Sequence, residues 1–177
     1  SYNEKNWRIL PRQAVHDSSS VTYPVFTAIA APEVQNKLNG DFAIIAGPYL
    51  QNLATGGCEL DYTLTFVSEK FISMVFFGVL DEGEKEIFAK IPLNIDVQTG
   101  AQLALGDVLN LRDADLLPVL RLLTKKDKVD FSKGIPESWY YNGTNFVFCQ
   151  RSETGEWLEA TVAASDLKKF LLKPELF

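Results

Sequence analysis

Acidic side chains are the residues of this sequence whose type and spacing can support chemistry. Asp96 and Asp107 flank a Thr-Gly turn, and Asp61 falls on a predicted neighbouring strand. Two carboxyl groups that share a cleft act as acid and as base or nucleophile in glycoside hydrolysis. The same residues also accept backbone amides in turns and at helix N-termini, which is the role we expect for Asp96 and Asp107. A carbohydrate-acting hydrolase that uses these acidic residues therefore remains an alternative.

Histidine and cysteine offer little further chemistry. The one histidine, His16, lies in a polar N-terminal stretch, and Cys58 and Cys149 are far apart in sequence. A zinc site or a nucleophile activated by histidine needs more such residues than this chain contains. We therefore predict no catalytic residue, no metal and no cofactor. The two cysteines either pair in an oxidising compartment or act as buried small hydrophobes.

An acidic segment over residues 81–86 joins two predicted strands and reads Asp-Glu-Gly-Glu-Lys-Glu. Such a segment is typical of a solvated hairpin tip. Exposed loops are also frequent binding sites, and an acidic loop suits a basic partner. Asp81, Glu82 and Glu84 are therefore candidate binding residues.

Aromatic residues cluster near the last predicted hairpin, where the sequence has Trp139, Tyr140, Tyr141 and Trp157. Neighbouring residues of a strand point to opposite faces, so some of these rings are expected at the surface. Exposed rings stack on sugars or anchor a protein partner. Core packing accounts for most such residues, but Trp139, Tyr140 and Trp157 are retained as candidate binding residues.

Length and charge limit the classes of protein. A chain of 177 residues is expected to form a single domain over 1–177 with its own hydrophobic core. The formal net charge of −6 argues against nucleic acid as a partner, because such binders normally carry a basic surface. No apolar run approaches the roughly 18 residues that a membrane-spanning helix requires.

Alternating apolar residues predict three consecutive strands at residues 59–67, 71–79 and 86–97. Short connections between them indicate an antiparallel meander. Pro92 cannot donate a hydrogen bond within a sheet, so the third strand is predicted to be an edge strand or to carry a bulge.

Two helices are predicted to pack on one face of this sheet. The first covers residues 32–46, begins at Pro32 and is ended by Gly47-Pro48. The second covers residues 115–124.

The remaining segments complete an α+β domain with an antiparallel sheet of about five to seven strands. Residues 1–20 are expected to be irregular, and Pro24 marks residues 21–26 as an edge strand. The domain is read as a first half over 21–110 and a second half over 111–177. The second half contains a hairpin at Asn142-Gly143, a further strand and a short terminal helix.

Several local patterns then occur in a recognisable order. They are V-T-Y-P-V-F at 21–26, L-N at 38–39, F-I-S-M-V-F at 71–76, N-I-D-V-Q-T-G at 94–100, L-A-L-G-D-V-L at 103–109, W-Y-Y-N-G at 139–143 and A-A-S-D-L at 163–167. With them, the chain resembles an uncharacterised extracytoplasmic domain family of the lysozyme-sensing anti-sigma-V-type factor of Gram-positive bacteria. A related segment precedes the catalytic domain of some peptidoglycan deacetylases.

This resemblance extends over residues 21–172 and implies an α+β fold in a secreted or membrane-tethered, extracytoplasmic domain. It implies a non-catalytic role in the cell envelope, with a protein such as a lysozyme-like enzyme, or peptidoglycan, as the partner. Many relatives carry Gly-Gly-Ala-His between the two central strands, whereas segment 81–86 contains no histidine. A structural or interaction protein with another partner is the third alternative.

Overall fold

The structure is a computed structural model that describes residues 2, 3 and 6–177, with side chains from residue 6 onwards. These residues form nine strands, three α-helices and two 3₁₀ helices. The strands are β1 Tyr2–Asn3, β2 Arg8–His16, β3 Ser19–Thr27, β4 Cys58–Val67, β5 Phe71–Asp81, β6 Glu86–Asp96, β7 Ser138–Tyr141, β8 Asn145–Arg151 and β9 Trp157–Ala163. The helices are α1 Pro32–Gln51, α2 Leu105–Val108 and α3 Leu116–Leu123, with 3₁₀ helices at Ala164–Phe170 and Pro174–Leu176.

The described strands divide between two sheets, and the predicted α+β class is confirmed. The large sheet has the order β1-β2-β3-β4-β5-β6, and the small sheet has the order β7-β8-β9. Strands β4, β5 and β6 form the predicted antiparallel meander, with β6 at the edge as Pro92 indicated. Every helix within the described residues is too short or too polar to cross a lipid bilayer.

The prediction of an irregular segment over residues 1–20 is wrong where strands β1 and β2 and the start of β3 lie. Residues 1, 4 and 5 of this segment lie outside the described residues. Strand β2 pairs with β3 from Arg8↔Thr27 to His16↔Ser19. Only Ile9 of this strand is fully buried, so its sequence lacks the alternation by which a half-buried strand is detected. Pairing with β3 therefore imposes the extended conformation.

Strand β3 lies between β2 and β4, but its parallel pairing with β4 covers only Ser20 and Val21. Pro24 lies beyond this pairing and has no N–H to donate to a neighbouring strand. The edge strand predicted for residues 21–26 is therefore found in only part of β3. Asn39 of α1 replaces the missing strand at Phe26. Its Oδ1 accepts the Phe26 N–H at 2.8 Å, and its Nδ2 donates to the Phe26 carbonyl at 3.0 Å.

Helix α1 continues to Gln51 and so runs through Gly47-Pro48, where we expected it to end. A proline at position 48 removes the hydrogen bond to the carbonyl of Ile44. The Ile44 side chain is 75% exposed, and Pro48 is exposed too, so water can reach this side of the helix. The opposite side of α1 packs on the large sheet through Leu38 and Phe42, both fully buried.

The second helix lies in a different place from the one predicted. Leu116 and Leu120 of α3 pack in a core with the small sheet, rather than beside α1 on the large sheet. The small sheet lies on the face of the large sheet opposite α1, where Asn94 donates to the Trp139 carbonyl at 2.8 Å. The described residues therefore form two hydrophobic cores, one on each side of the large sheet.

Candidate functional site

The two acidic residues of the hydrolase alternative are occupied by nearby backbone groups. Asp96 Oδ1 accepts the N–H groups of Gln98 at 2.9 Å and Thr99 at 3.3 Å. Asp107 Oδ2 accepts the N–H of Ala104 at 2.8 Å at the start of α2. The structural role expected for both carboxylates is therefore confirmed.

The structure also settles the state of the cysteines. Cys58 and Cys149 are both free and buried, so the disulfide alternative is wrong and the buried-hydrophobe alternative is confirmed. Burial, with a smaller effect of Glu159, raises the pKa of the Cys149 thiol to about 12. His16 is exposed beside Asp17, with 3.5 Å between Nε2 and Oδ2. Among residues 2, 3 and 6–177, no group of His, Cys, Asp and Glu is arranged to hold a metal ion.

The predicted aromatic binding residues are separated by the small sheet. Trp139 is 2% exposed and packs in the core beside Phe71 and Phe146, so it offers no surface to a partner. Tyr140 and Trp157 lie on the other face and share one acid, Glu159. The Tyr140 hydroxyl donates to Glu159 at 2.8 Å, and Trp157 Nε1 donates to it at 3.0 Å.

These hydrogen bonds restrict what Tyr140 and Trp157 can do. Burial first, and then the Glu159 carboxylate, raises the pKa of Tyr140, which keeps its hydroxyl protonated as a donor. The Trp157 ring is approached by two cations: Lys90 Nζ lies 5.5 Å and Arg151 Cζ 5.9 Å from its centroid. Two cations therefore already lie beside the Trp157 ring.

The predicted acidic residues lie at one end of the large sheet. Asp81, Glu82 and Glu84 are exposed at the tip between β5 and β6. The Asp81 N–H donates to the Gly57 carbonyl at 2.9 Å. The turn between β2 and β3 contacts the same loop, that of Gly56 and Gly57, because Ser19 Oγ donates to the Gly56 carbonyl at 3.0 Å.

We call this region the acidic end and define it by Asp17, Asp81, Glu82, Glu84 and Glu86. All five side chains are exposed. Lys85 lies among them, so the acidic end has a formal charge of −4, against −6 for the whole chain.

A groove of about 320 Å³ lies beside the acidic end, between the large sheet and the β8–β9 hairpin. Its floor consists of side chains from three neighbouring strands. Asp61, Phe77 and Lys90 are cross-strand partners in one row, and Glu59, Val79 and Phe88 form the next. Its wall is formed by Arg151, Gly155 and Trp157.

The wall of the groove is held in place by Arg151. Its Nη2 donates to the Phe88 carbonyl on the free edge of β6 at 2.6 Å, and its Nη1 donates to the Gly155 carbonyl at 3.4 Å. These contacts connect the small sheet to the large sheet at the groove. Both hydrogen-bond acceptors of the guanidinium are carbonyls, and no carboxylate of the described residues lies within 4.0 Å of it.

Sequence reasoning missed most of the groove. Lys90, Phe88 and Arg151 were not singled out, because each stands in an ordinary strand and none belongs to a motif. The available signal was positional. Alternation places Phe88 and Lys90 on one face of β6, but the pairing register is needed to set Lys90 opposite Phe77.

Comparisons with known proteins concern the fold. No protein-family model matches the sequence, and no curated protein does. Solved structures with a similar fold include two DUF3298 family proteins. One is a member of the DUF3298 family from Bacteroides fragilis, with 12% identity, a TM-score of 0.64 and coverage of 93% of this chain and 92% of that one. The other is a DUF3298 family protein from Pseudomonas aeruginosa, with 14% identity, a TM-score of 0.60 and coverage of 97% and 95%. Over nearly its whole length, the chain therefore has the fold seen in these DUF3298 family structures.

Proposed function

We propose that this protein is a non-catalytic domain of the cell envelope, located outside the cytoplasmic membrane, and that it binds a basic, lysozyme-like protein at the acidic end. The location follows from the resemblance of segments such as 94–109 to the extracytoplasmic domain family. The observation that carries the binding surface is the convergence of five exposed carboxylates on one end of the sheet.

The acidic end is suited to a cationic partner for an electrostatic reason. Its carboxylates lie on two turns joined through the Gly56-Gly57 loop, so they act on one incoming surface. Among the described residues, only Asp17 of the acidic end has a basic side chain within 4.0 Å, that of His16. Unpaired surface charge of one sign attracts the opposite sign and accelerates association.

Peptidoglycan is the weaker of the two partners considered. The glycan alternative depends on exposed aromatic faces on which sugar rings could stack. Trp139 is buried, Tyr140 is bonded to Glu159, and the Trp157 ring has two cations beside it. The three aromatic residues predicted for binding therefore favour a protein partner over a glycan.

The test measures binding of purified lysozyme to the domain by isothermal titration calorimetry at low and high salt. We expect binding that weakens as salt rises, because screening shortens the range of the attraction. The variant Glu82→Lys with Glu84→Lys is expected to reduce affinity by roughly tenfold or more. The variant Asp166→Lys with Glu175→Lys makes the same charge change at exposed positions outside the acidic end, and should reduce affinity much less.

Two results contradict the proposal. One is the absence of lysozyme binding by the folded wild-type domain. The other is an equal loss of affinity in the test and control variants, which would indicate attraction by net charge alone. Retention of the domain on purified cell wall, without binding to lysozyme, would favour the glycan partner instead.

A further inference from the structure

A pocket of about 450 Å³ opens between the turn that joins β7 to β8 and the two 3₁₀ helices. Pockets that bind small molecules have volumes of about 300–1,000 Å³, so this one is large enough to hold a ligand. Most of its lining is apolar, with contributions from Ala164, Leu171, Pro174 and Phe177. It shares no lining residue with the acidic end or with the groove. We call it the Tyr141 pocket.

Tyr141 lines this pocket with a hydroxyl group that has no hydrogen-bond partner. The residue is only 4% exposed, yet only its backbone N–H and carbonyl are hydrogen-bonded to side chains of the described residues. In the described part of the chain, no fully buried polar side-chain atom lacks a partner, so the Tyr141 hydroxyl must reach accessible space. Because Tyr141 lines the pocket, the hydroxyl reaches that space inside the pocket.

The position of the Tyr141 hydroxyl is fixed by the rest of the residue. The Tyr141 N–H donates to Ser73 Oγ at 2.8 Å, and the Tyr141 carbonyl accepts from Thr65 Oγ1 at 2.8 Å. The ring packs edge to face against Phe66 and Phe177, with centroids 4.9 and 5.0 Å away. Burial raises the pKa of Tyr141, so the hydroxyl stays protonated at neutral pH and can donate. A donor that is already in place loses little entropy when a ligand binds.

The side-chain charge around the pocket is positive. Lys168, on the first 3₁₀ helix, is the one charged side chain among the described residues that line it. No carboxylate side chain of the described residues lies within 4.0 Å of Lys168. Thr144 and Ser165 add hydroxyl groups, and both residues are exposed, as Lys168 is. An anionic group in the pocket therefore has a cation and hydroxyl donors near it, in a chain whose net charge is −6.

We infer that the Tyr141 pocket binds a small carboxylic acid with an apolar body, the chemistry of a medium-chain fatty acid. The Tyr141 hydroxyl donates to the carboxylate, which is attracted by Lys168. A hydrogen bond to an ionised acceptor is stronger than one to a neutral acceptor, so the hydroxyl favours an acid over an alcohol. The apolar body packs against Leu171, Pro174 and Phe177, which removes apolar surface of ligand and protein from water. This site is independent of the lysozyme binding proposed for the acidic end.

Titration of the ¹⁵N-labelled protein with sodium octanoate, followed by NMR spectroscopy, tests the inference. We expect saturable shifts that are largest at the amides of Gly143, Ser165 and Lys168, and no comparable shift at Glu82 of the acidic end. Two further probes separate the parts of the ligand. 1-Octanol keeps the apolar body without the charge and should bind roughly fivefold or more weakly. Acetate keeps the carboxylate without the apolar body and should show no saturable binding.

Removal of the hydroxyl alone tests its role. Tyr141→Phe loses a group without a partner in the described chain, so it should fold as stably as the wild type and bind octanoate roughly fivefold to tenfold more weakly. Tyr140→Phe is the matched control, because its hydroxyl is bonded to Glu159 on the opposite face of the small sheet. It should leave the affinity unchanged. Lys168→Gln should weaken binding by about twofold to fivefold, whereas Lys126→Gln, at an exposed position outside the pocket, should not.

Four results overturn the inference. The first is the absence of octanoate-dependent shifts at the amides around the pocket. The second is unchanged octanoate affinity in a Tyr141→Phe variant that circular dichroism shows to be folded. The third is an equal loss of affinity in Tyr141→Phe and Tyr140→Phe, which assigns the effect to the small sheet in general. The fourth is 1-octanol binding as tightly as octanoate, which removes the carboxylate from the recognised chemistry.

Discussion

The two faces of the large sheet are covered in different ways. On one face, α1 packs through Leu38 and Phe42 against Met74 and Phe76, and all four side chains are fully buried and apolar. The opposite face carries polar groups at the contact with β7.

There, one residue from each of three neighbouring strands reaches the backbone of β7. Asn94 donates to the Trp139 carbonyl, and Ser73 Oγ accepts the Tyr141 N–H. Thr65 lies in a bulge between Leu64 and Phe66, and its hydroxyl donates to the Tyr141 carbonyl at 2.8 Å.

The difference follows from where the covering helix and the covering strand find hydrogen-bond partners for their backbone N–H and C=O groups. A helix bonds its N–H and C=O groups internally and can present a purely apolar surface. Strand β7 is paired on one side only, with β8, so the other side needs partners where it is buried. Side chains of β4, β5 and β6 supply them. A buried polar residue on a sheet can thus mark where a strand crosses it.

Truncation of a buried side chain on the face covered by α1 should give the largest loss of stability. Phe42→Ala removes a fully buried ring that contacts the rings of Phe26 and Phe76, so the free energy of unfolding should fall by about 3–5 kcal/mol. Urea denaturation measures it. Ile44→Ala on the same helix, at a side chain 75% exposed, is the control and should change it by less than about 0.5 kcal/mol. Similar losses in the two variants would mean that this face is not a close-packed core.

Removal of a buried polar side chain on the opposite face should give the second-largest loss of stability. Asn94→Ala leaves the buried Trp139 carbonyl and the Ser73 hydroxyl without their partner, which should cost about 2–4 kcal/mol. A double-mutant cycle with Ser73→Ala should show coupling, because the two side chains share a 2.6 Å hydrogen bond. Additive losses would contradict the idea that these residues act together as a support for β7.

A glycine on β5 tests how closely α1 approaches the sheet. A methyl group at Gly78 would overlap the Tyr49 side chain, so Gly78→Ala should destabilise the protein by about 1–3 kcal/mol. Gly40→Ala, in α1 with nothing within 4 Å of the added carbon, is the matched control. It should stabilise by about 0.5–1 kcal/mol, since alanine favours the helix. Destabilisation by both changes would refute this explanation.

Alkaline pH should produce the smallest effect. The pKa of Cys149 is raised from 9.0 to about 12, mainly by burial, so above pH 9 the unfolded chain binds fewer protons here than the folded protein does. Stability should therefore fall as pH rises above 9, by about 1 kcal/mol between pH 9 and pH 10 for this group. Tyr140 adds the same sign above pH 10, because its pKa is also raised. Cys149→Ala should reduce the slope between pH 9 and 10; an unchanged slope would contradict the assignment.

Much of the fold was accessible from the sequence. The three central strands were predicted at residues 59–67, 71–79 and 86–97 and are found at Cys58–Val67, Phe71–Asp81 and Glu86–Asp96. Their alternation reports directly that one face is buried. The local roles of Asp96 and Asp107 were also predicted, because they depend only on residues nearby in the chain.

What failed depends on contacts between distant segments. Strand β2 has one fully buried residue and takes its conformation from β3. Trp139 was retained for binding, but its face of β7 is buried by Phe71 and Phe177 as well as by its own hairpin. The alternation of apolar residues predicts which face of a strand is buried. The element that covers this face is set by the tertiary fold.

The side chain of Asn39 has a consequence for how the protein opens. Strand β3 meets β4 at two residue pairs only, and its backbone at Phe26 is bonded to α1 instead. The β2–β3 hairpin and α1 should thus come away as one cooperative unit while β4, β5 and β6 stay paired. In native-state hydrogen exchange, the amide of Phe26 should share its opening free energy with the middle of α1, not with β5.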